Sequence, residues 1–130
     1  MAVKLSEKAM ALIERKNFAH LATLMKDGSP HVAPVWVDHE GDIILINTAV
    51  GRMKHRNIRR DRRVALSIAD QADPYERIEI RGRVISQVRE GADEHIDKLS
   101  AKYRGVPKYD KSSPDERRII LKIEPLHVSS

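Results

Sequence analysis

The chain contains no cysteine. That absence excludes disulfides, thiolate metal ligands and thiol nucleophiles together, so any redox chemistry must come from a bound cofactor, and it suits a reducing compartment. Aromatic residues are scarce at 4%. A core must then be built from Val, Ile, Leu and Ala, which leaves room for apolar surface shared between subunits. Long hydrophobic runs are missing too. Residues 43–46 form one of the longest and are far too few to cross a bilayer, and residues 1–7 hold no apolar stretch of signal-peptide length, so the expectation is a cytoplasmic protein with no membrane partner.

Several chemical signatures are also lacking. No Gly-x-Gly-x-x-Gly, no Gly-Lys-Ser/Thr and no Gly-x-Ser-x-Gly occurs, which removes the usual marks of a dinucleotide fold, a Walker loop and a hydrolase elbow. The histidines at 20, 31, 39, 55, 95 and 127 have no i, i+4 pairing, so no metal site is expected. The acid pairs Asp93-Glu94 and Asp115-Glu116 stand where helix starts and loops favour them, a structural placement rather than a general acid and base. No catalytic side chain can be named.

What remains is a chain of 130 residues, 41% hydrophobic and 33% charged, with 24 Lys and Arg against 19 Asp and Glu, a net charge of +5. One domain over residues 1–130 is the expectation at this size, and the modest positive excess favours anionic partners without choosing among them. A helix should start at Ser6 and end near Lys16, with Leu5, Ala9, Leu12 and Ile13 on one apolar face. Residues 17–25 and 31–37 read as strands joined by an Asp27-Gly28 hairpin, and residues 38–41 as a second turn. The aliphatic run in residues 42–47 predicts a strand buried on both faces. A short helix at 52–60, strands around Val64 to Ile68 and at 76–88, a helix at 91–104 closed by Gly105, and a last strand from Arg117 to near Pro125 complete the pattern. The result is mainly β: about six antiparallel strands in a barrel or sandwich with peripheral helices.

The chemistry concentrates after the third strand. Residues 52–63 hold seven of the basic residues in twelve positions, with Asp61 the only acid. At helical spacing Arg52, Arg56, Arg59 and Arg63 share a stripe, a pattern most often no more than a solvated face, while Lys54 lies nearly opposite beside Asn57 and Ile58. A strand that breaks at Thr48, passes Gly51 and enters a helix directs amide groups and a positive dipole end into the break, with Thr48, Arg52 and Lys54 as added donors. This is the outline of a phosphate site. Trp36, the only tryptophan, can pack against a planar ring at the end of its strand, or equally in a core or interface.

The run from Asn47 to Val64 resembles the signature of the pyridoxamine 5′-phosphate oxidase-like split β-barrel proteins, especially their deazaflavin-using branch. Residues 20–23 with the Asp27-Gly28 hairpin, Ile78 to Val84, and His95 to Tyr109 continuing into Glu116–Ile119 and Ile123–Pro125 agree with that branch, so the likeness covers nearly the whole chain. It implies a six-stranded antiparallel split β-barrel with a few peripheral helices, and a homodimer with a cofactor in each of two grooves at the subunit interface. It also implies coenzyme F420, or alternatively flavin mononucleotide (FMN), passing a hydride to an electron-poor small-molecule substrate. The family's phosphate-side motif falls on Asn47, Thr48, Arg52, Lys54 and Asn57, and the strand along the ring on Val35 and Trp36. The sequence stops at Ser130, short of the C-terminal segment that pyridoxamine phosphate oxidases use at their substrate, which speaks against that particular reaction. Two rivals follow from the same residues: a nucleic-acid module on the Arg52 to Arg63 stripe, disfavoured because no aromatic residue accompanies it, and a cofactor carrier without turnover.

Overall fold

Short connections between β-rich segments permit hairpins but few crossovers, and every strand pairing in the computed structural model, which describes residues 2–129, is antiparallel. The elements run α1 (Glu7–Glu14), β1 (Ala19–Leu24), β2 (Pro30–Val35), β3 (Asp38–Glu40), β4 (Ile43–Ala49), α2 (Met53–Arg60), β5 (Arg63–Ala69), β6 (Arg77–Val88), α3 (Ala92–Arg104) and β7 (Arg118–Ser129). They form a seven-stranded sheet in the order β2-β1-β5-β6-β7-β4-β3. The expected split-barrel class is the observed one. No helix among the described residues is long and apolar enough to cross a membrane.

The seventh strand is β3, expected only as part of a turn. Asp38, His39 and Glu40 pair with Leu45, Ile44 and Ile43, so the reversal contracts to Gly41 and Asp42, and Gly41 supplies the positive φ of 60° that so short a turn requires. Strand β7 also runs past Pro125 to Ser129. Proline has no amide hydrogen to give a ladder, but Pro125 stands opposite Gly82 at a register shift, where Leu126 is passed over and pairing resumes at His127.

Ser6 caps α1 as its position predicts, accepting the Ala9 amide at 3.1 Å, and Ala9, Leu12 and Ile13 are buried. Strand β4 is buried on both faces from Ile44 onward, whereas β6 alternates, with Ile78, Ile80, Gly82 and Val84 inward. The main core is entirely aliphatic, joining α1 to residues of β1 and β4–β7 and to Ile58 of α2. That is how a chain so poor in aromatics closes its barrel.

Gly82 is the tightest point. A Cβ there would fall inside the contact distance of the Glu124 carbonyl oxygen and 3.2 Å from a methyl of Ile123. A main-chain oxygen held in the β6–β7 ladder cannot rotate away, so Gly82→Ala should lower stability by about 1–3 kcal/mol, read from a urea titration. An unchanged midpoint would contradict the close approach.

Candidate functional site

Between β4 and α2 the chain turns at Val50 and Gly51, where Gly51 has φ 92°. The amides of this break do not point outward, contrary to the sequence expectation. Val50 donates to the Arg117 carbonyl at 2.8 Å, Gly51 to His55 Nδ1 at 3.0 Å, and Arg52 to the Ala49 carbonyl at 3.2 Å. A tight turn consumes its own donors. What stays uncovered is the N-terminus of α2, because its cap residue Arg52 makes no side-chain capping bond. The basic stripe also ends early: Asp61 terminates α2 in an extended conformation, so Arg63 belongs to β5 and pairs with Asp61 at 2.7 Å. Arg60, though exposed, donates to the side-chain oxygen Oδ1 of Asn57 at 2.7 Å.

Lys54 is half-buried, and among the described residues it has no hydrogen-bonded or ionic partner. Burial, then the nearby charges of Arg52 and Arg118, depress its pKa below the ordinary 10.5. Of the two neighbours, Arg52 is 44% exposed and only loosely paired, 3.8 Å from Glu116. It lies on a groove of about 430 Å³ with Ala49, Gly51, Ser112, Ser113, Asp115 and Glu116.

Arg118 is enclosed, with 3% of its side chain exposed, and its partner Glu116 at 3.0 Å has 4%. It also donates to Asn47 Oδ1 at 2.8 Å and to the Asn47 carbonyl at 3.3 Å, and its guanidinium lies 4.9 Å from the Tyr109 ring centroid. Burial pushes the Glu116 carboxyl up, but hydrogen bonds from Ser112 and Arg118 outweigh it and hold the group below the usual carboxylate range. Cations thus converge on a corner whose enclosed anion, Glu116, is already engaged.

The remaining predicted residues are placed as follows. Asn47 is buried and donates to the Ala92 carbonyl at 2.9 Å and toward His95 Nδ1 at 3.1 Å. The Thr48 hydroxyl is enclosed and has no partner among the described residues, an arrangement that costs about 1–3 kcal/mol for a buried donor. Asn57 is wholly buried and joins α2 to β1 through Thr23 Oγ1 at 3.0 Å. Val35 lies in the core, opposite Ala19. Trp36 is half-buried beyond β2, stacked on Tyr103 with centroids 5.3 Å apart and rings 5° from parallel, while Tyr109 meets its edge at 6.3 Å. The structure therefore gathers Asn47, Arg52 and Lys54 around Arg118, brings Trp36 to it through Tyr109, and turns Asn57 toward β1 and Val35 into the core.

Sequence reading missed Arg118 and the pair His95 and Asp38. An arginine heading the apolar run Ile119–Ile120–Leu121 is the available signal for the first, since a charge there enters the barrel wall unless a partner meets it. For the second there is none: Asp38 and His95 are 57 positions apart, and only the β3 pairing brings the carboxylate 3.0 Å from His95 Nε2. On the outer face of the sheet, grooves of about 440 and 680 Å³ lie side by side, lined among others by His20, Ala22, Ala65, Arg81 and His127. Among the described residues no cluster of His, Asp and Glu is spaced to hold a metal ion.

Comparison with known proteins extends this picture. The pyridoxamine 5′-phosphate oxidase family pattern matches residues 5–130. A solved structure described as an F420 reductase superposes with a TM-score of 0.84 at 30% identity, covering 96% of this chain and 98% of its own. The F420H(2)-dependent biliverdin reductase of Mycobacterium tuberculosis is 27% identical over 124 residues, 93% of this chain and 84% of that protein. A Listeria innocua structure described as a putative pyridoxamine 5′-phosphate oxidase has a TM-score of 0.70 at 22% identity over 95% of this chain and 94% of its own, a likeness of fold.

Proposed function

The chain belongs to the pyridoxamine 5′-phosphate oxidase family, an oxidoreductase family, and from that premise we propose that it is a reductase using coenzyme F420. The observation that carries the reading is Lys54. A half-buried ammonium beside two further cations, with no counter-ion among the described residues, calls for an anion from outside the chain. The phosphate of the cofactor fits that corner. Lys54 and Arg52 hold it, and the uncapped first turn of α2 adds its dipole. Asn47 and Asn57 keep the corner in shape from within.

Bound there, the reduced deazaflavin supplies a hydride for an electron-poor organic substrate. The chain's part is alignment and charge: β4 and β7 fix the height of Arg118, α2 presents Lys54, and Val35 with Trp36 lines the ring side. We further propose that residues 1–130 act as one domain and pair as a homodimer across the outer sheet face. The small side chains Ala22 and Ala65 allow close approach there, and the grooves beside them become enclosed on pairing. FMN is the second reading, because the Lys54 corner reads a phosphate and not a ring.

Parallel equilibrium titrations at fixed salt test the cofactor. Coenzyme F420 is expected to bind at least about tenfold tighter than FMN, a gap of about 1.4 kcal/mol. The opposite order would transfer the function to a flavin enzyme, and binding of neither would remove it. The affinity also carries a pH signature. Only protonated Lys54 attracts the anion, so affinity should fall as pH rises through its lowered pKa, beginning below the ordinary lysine value of 10.5 and reaching up to about tenfold per pH unit. Lys54→Arg should move that fall to higher pH, since a guanidinium keeps its charge. A profile that is flat in both proteins would contradict the assignment.

A further inference from the structure

Asn47 is oriented by two partners whose chemistry admits no choice. The Ala92 carbonyl only accepts, so it faces Asn47 Nδ2 at 2.9 Å, and Arg118 Nε only donates, so it faces Oδ1 at 2.8 Å. The second hydrogen on Nδ2 then points at His95 Nδ1, 3.1 Å away, which must accept it. His95 is thereby held as the tautomer with its hydrogen on Nε2, donated to Asp38 at 3.0 Å. Asp38 is well fixed for the task. Burial pushes its carboxyl up, but His95, the His39 amide and Lys98 together hold it well below the usual range.

We propose that His95 is a proton-sensitive positioning residue which, through the Asn47 carboxamide, locks Arg118 beside the Lys54 corner. In its neutral form the ring accepts from Asn47 and the chain of bonds from Asp38 to Arg118 is complete. A proton on Nδ1 puts two donors face to face. The carboxamide then has to turn its oxygen to His95, which sets its NH₂ against Arg118 Nε and gives up the Ala92 carbonyl. Arg118 loses the shorter of its two bonds to β4, keeps only the longer one to the Asn47 main-chain carbonyl at 3.3 Å, and shifts toward Glu116 and Tyr109. The groups facing this relay are Asp38 on β3, Lys98 and Lys102 on α3, Arg118 on β7 with Glu116 beside it, and Arg52 and Lys54 at the start of α2. The consequence for affinity rests on the cofactor reading above, while the lock itself is a property of the empty protein.

The test has two arms. Long-range proton–nitrogen correlation spectra of the wild-type protein without cofactor should show His95 Nδ1 unprotonated at neutral pH, and the Arg118 Nε–H signal should move as His95 titrates. In His95→Gln, whose carboxamide can accept from Asn47 but takes up no proton, that movement should vanish. A hydrogen on Nδ1 at neutral pH, or an Arg118 signal indifferent to the titration of His95, would overturn the proposal. In the second arm, F420 affinity of the wild type should fall at least about threefold on protonation of His95, roughly 0.65 kcal/mol, with a flatter profile in His95→Gln. Coincident profiles would overturn it as well. If neither cofactor binds at any pH but the Arg118 signal still follows His95, the lock stands and the cofactor assignment fails.

Discussion

Lys54→Ala is expected to weaken F420 binding by roughly 10- to 150-fold while leaving the fold at least as stable as before. A charge-assisted hydrogen bond to a phosphate contributes about 1.5–3 kcal/mol, which sets that range. The stability half follows from the neighbours: Lys54 is half-buried near Arg52 and Arg118, has no partner among the described residues, and is already depressed in pKa, so its removal relieves repulsion and breaks no bond within the chain. Titration by fluorescence and a urea curve on the same preparation measure both. A variant that binds normally removes Lys54 from the site. One that binds poorly because it unfolds makes Lys54 structural instead.

Arg118→Ala should have the largest effect on stability, about 3–5 kcal/mol, because Glu116, with 4% of its side chain exposed, loses its close cation and keeps only Ser112 and the distant Arg52. The Oδ1 and main-chain carbonyl of Asn47 lose donors at the same time, and Tyr109 loses the cation beneath its ring. The segment between α3 and β7 should loosen first, since Glu116 and Tyr109 hold it to the barrel through this arginine. Combining Arg118→Met with Glu116→Gln should recover part of the loss, as both charges then leave together. The deficit should also narrow in acid. The Glu116 pKa is lowered in the folded protein, so its stabilising contribution is full above the ordinary value of 4.5 and fades as pH falls through the folded value. Below that the wild type no longer holds the advantage that Arg118→Ala lacks. An equal deficit at neutral and acid pH would contradict a role through the Glu116 pair.

Much of the barrel was legible in the sequence because its signals are local. Alternation in residues 78–84, the aliphatic run before Asn47, the Ser6 cap and the left-handed Gly105 each depend on neighbours a few positions away, and each appears as expected. The errors lie where tertiary pairing overrides a local rule. Asp38 to Glu40 looks like turn chemistry until Ile43, Ile44 and Leu45 pair with it, and Pro125 looks like a strand end until the shift at Gly82 accommodates it. The candidate site divides the same way. Lys54 and Arg52 could be picked out from the break between strand and helix, but the break's amides are used internally, and the stripe through Arg63 is cut by Asp61. Arg118, His95 and Asp38 enter through contacts between distant segments, and only Arg118, at the head of an apolar run, leaves any mark in the sequence.

The most direct measurement is a crystal structure of the protein with coenzyme F420 bound. A phosphate oxygen is expected within hydrogen-bond distance, about 2.7–3.2 Å, of Lys54 Nζ and in reach of Arg52 at the start of α2. A phosphate bound elsewhere, such as on the outer sheet face beside His20 and His127, with Lys54 left facing solvent, would contradict it.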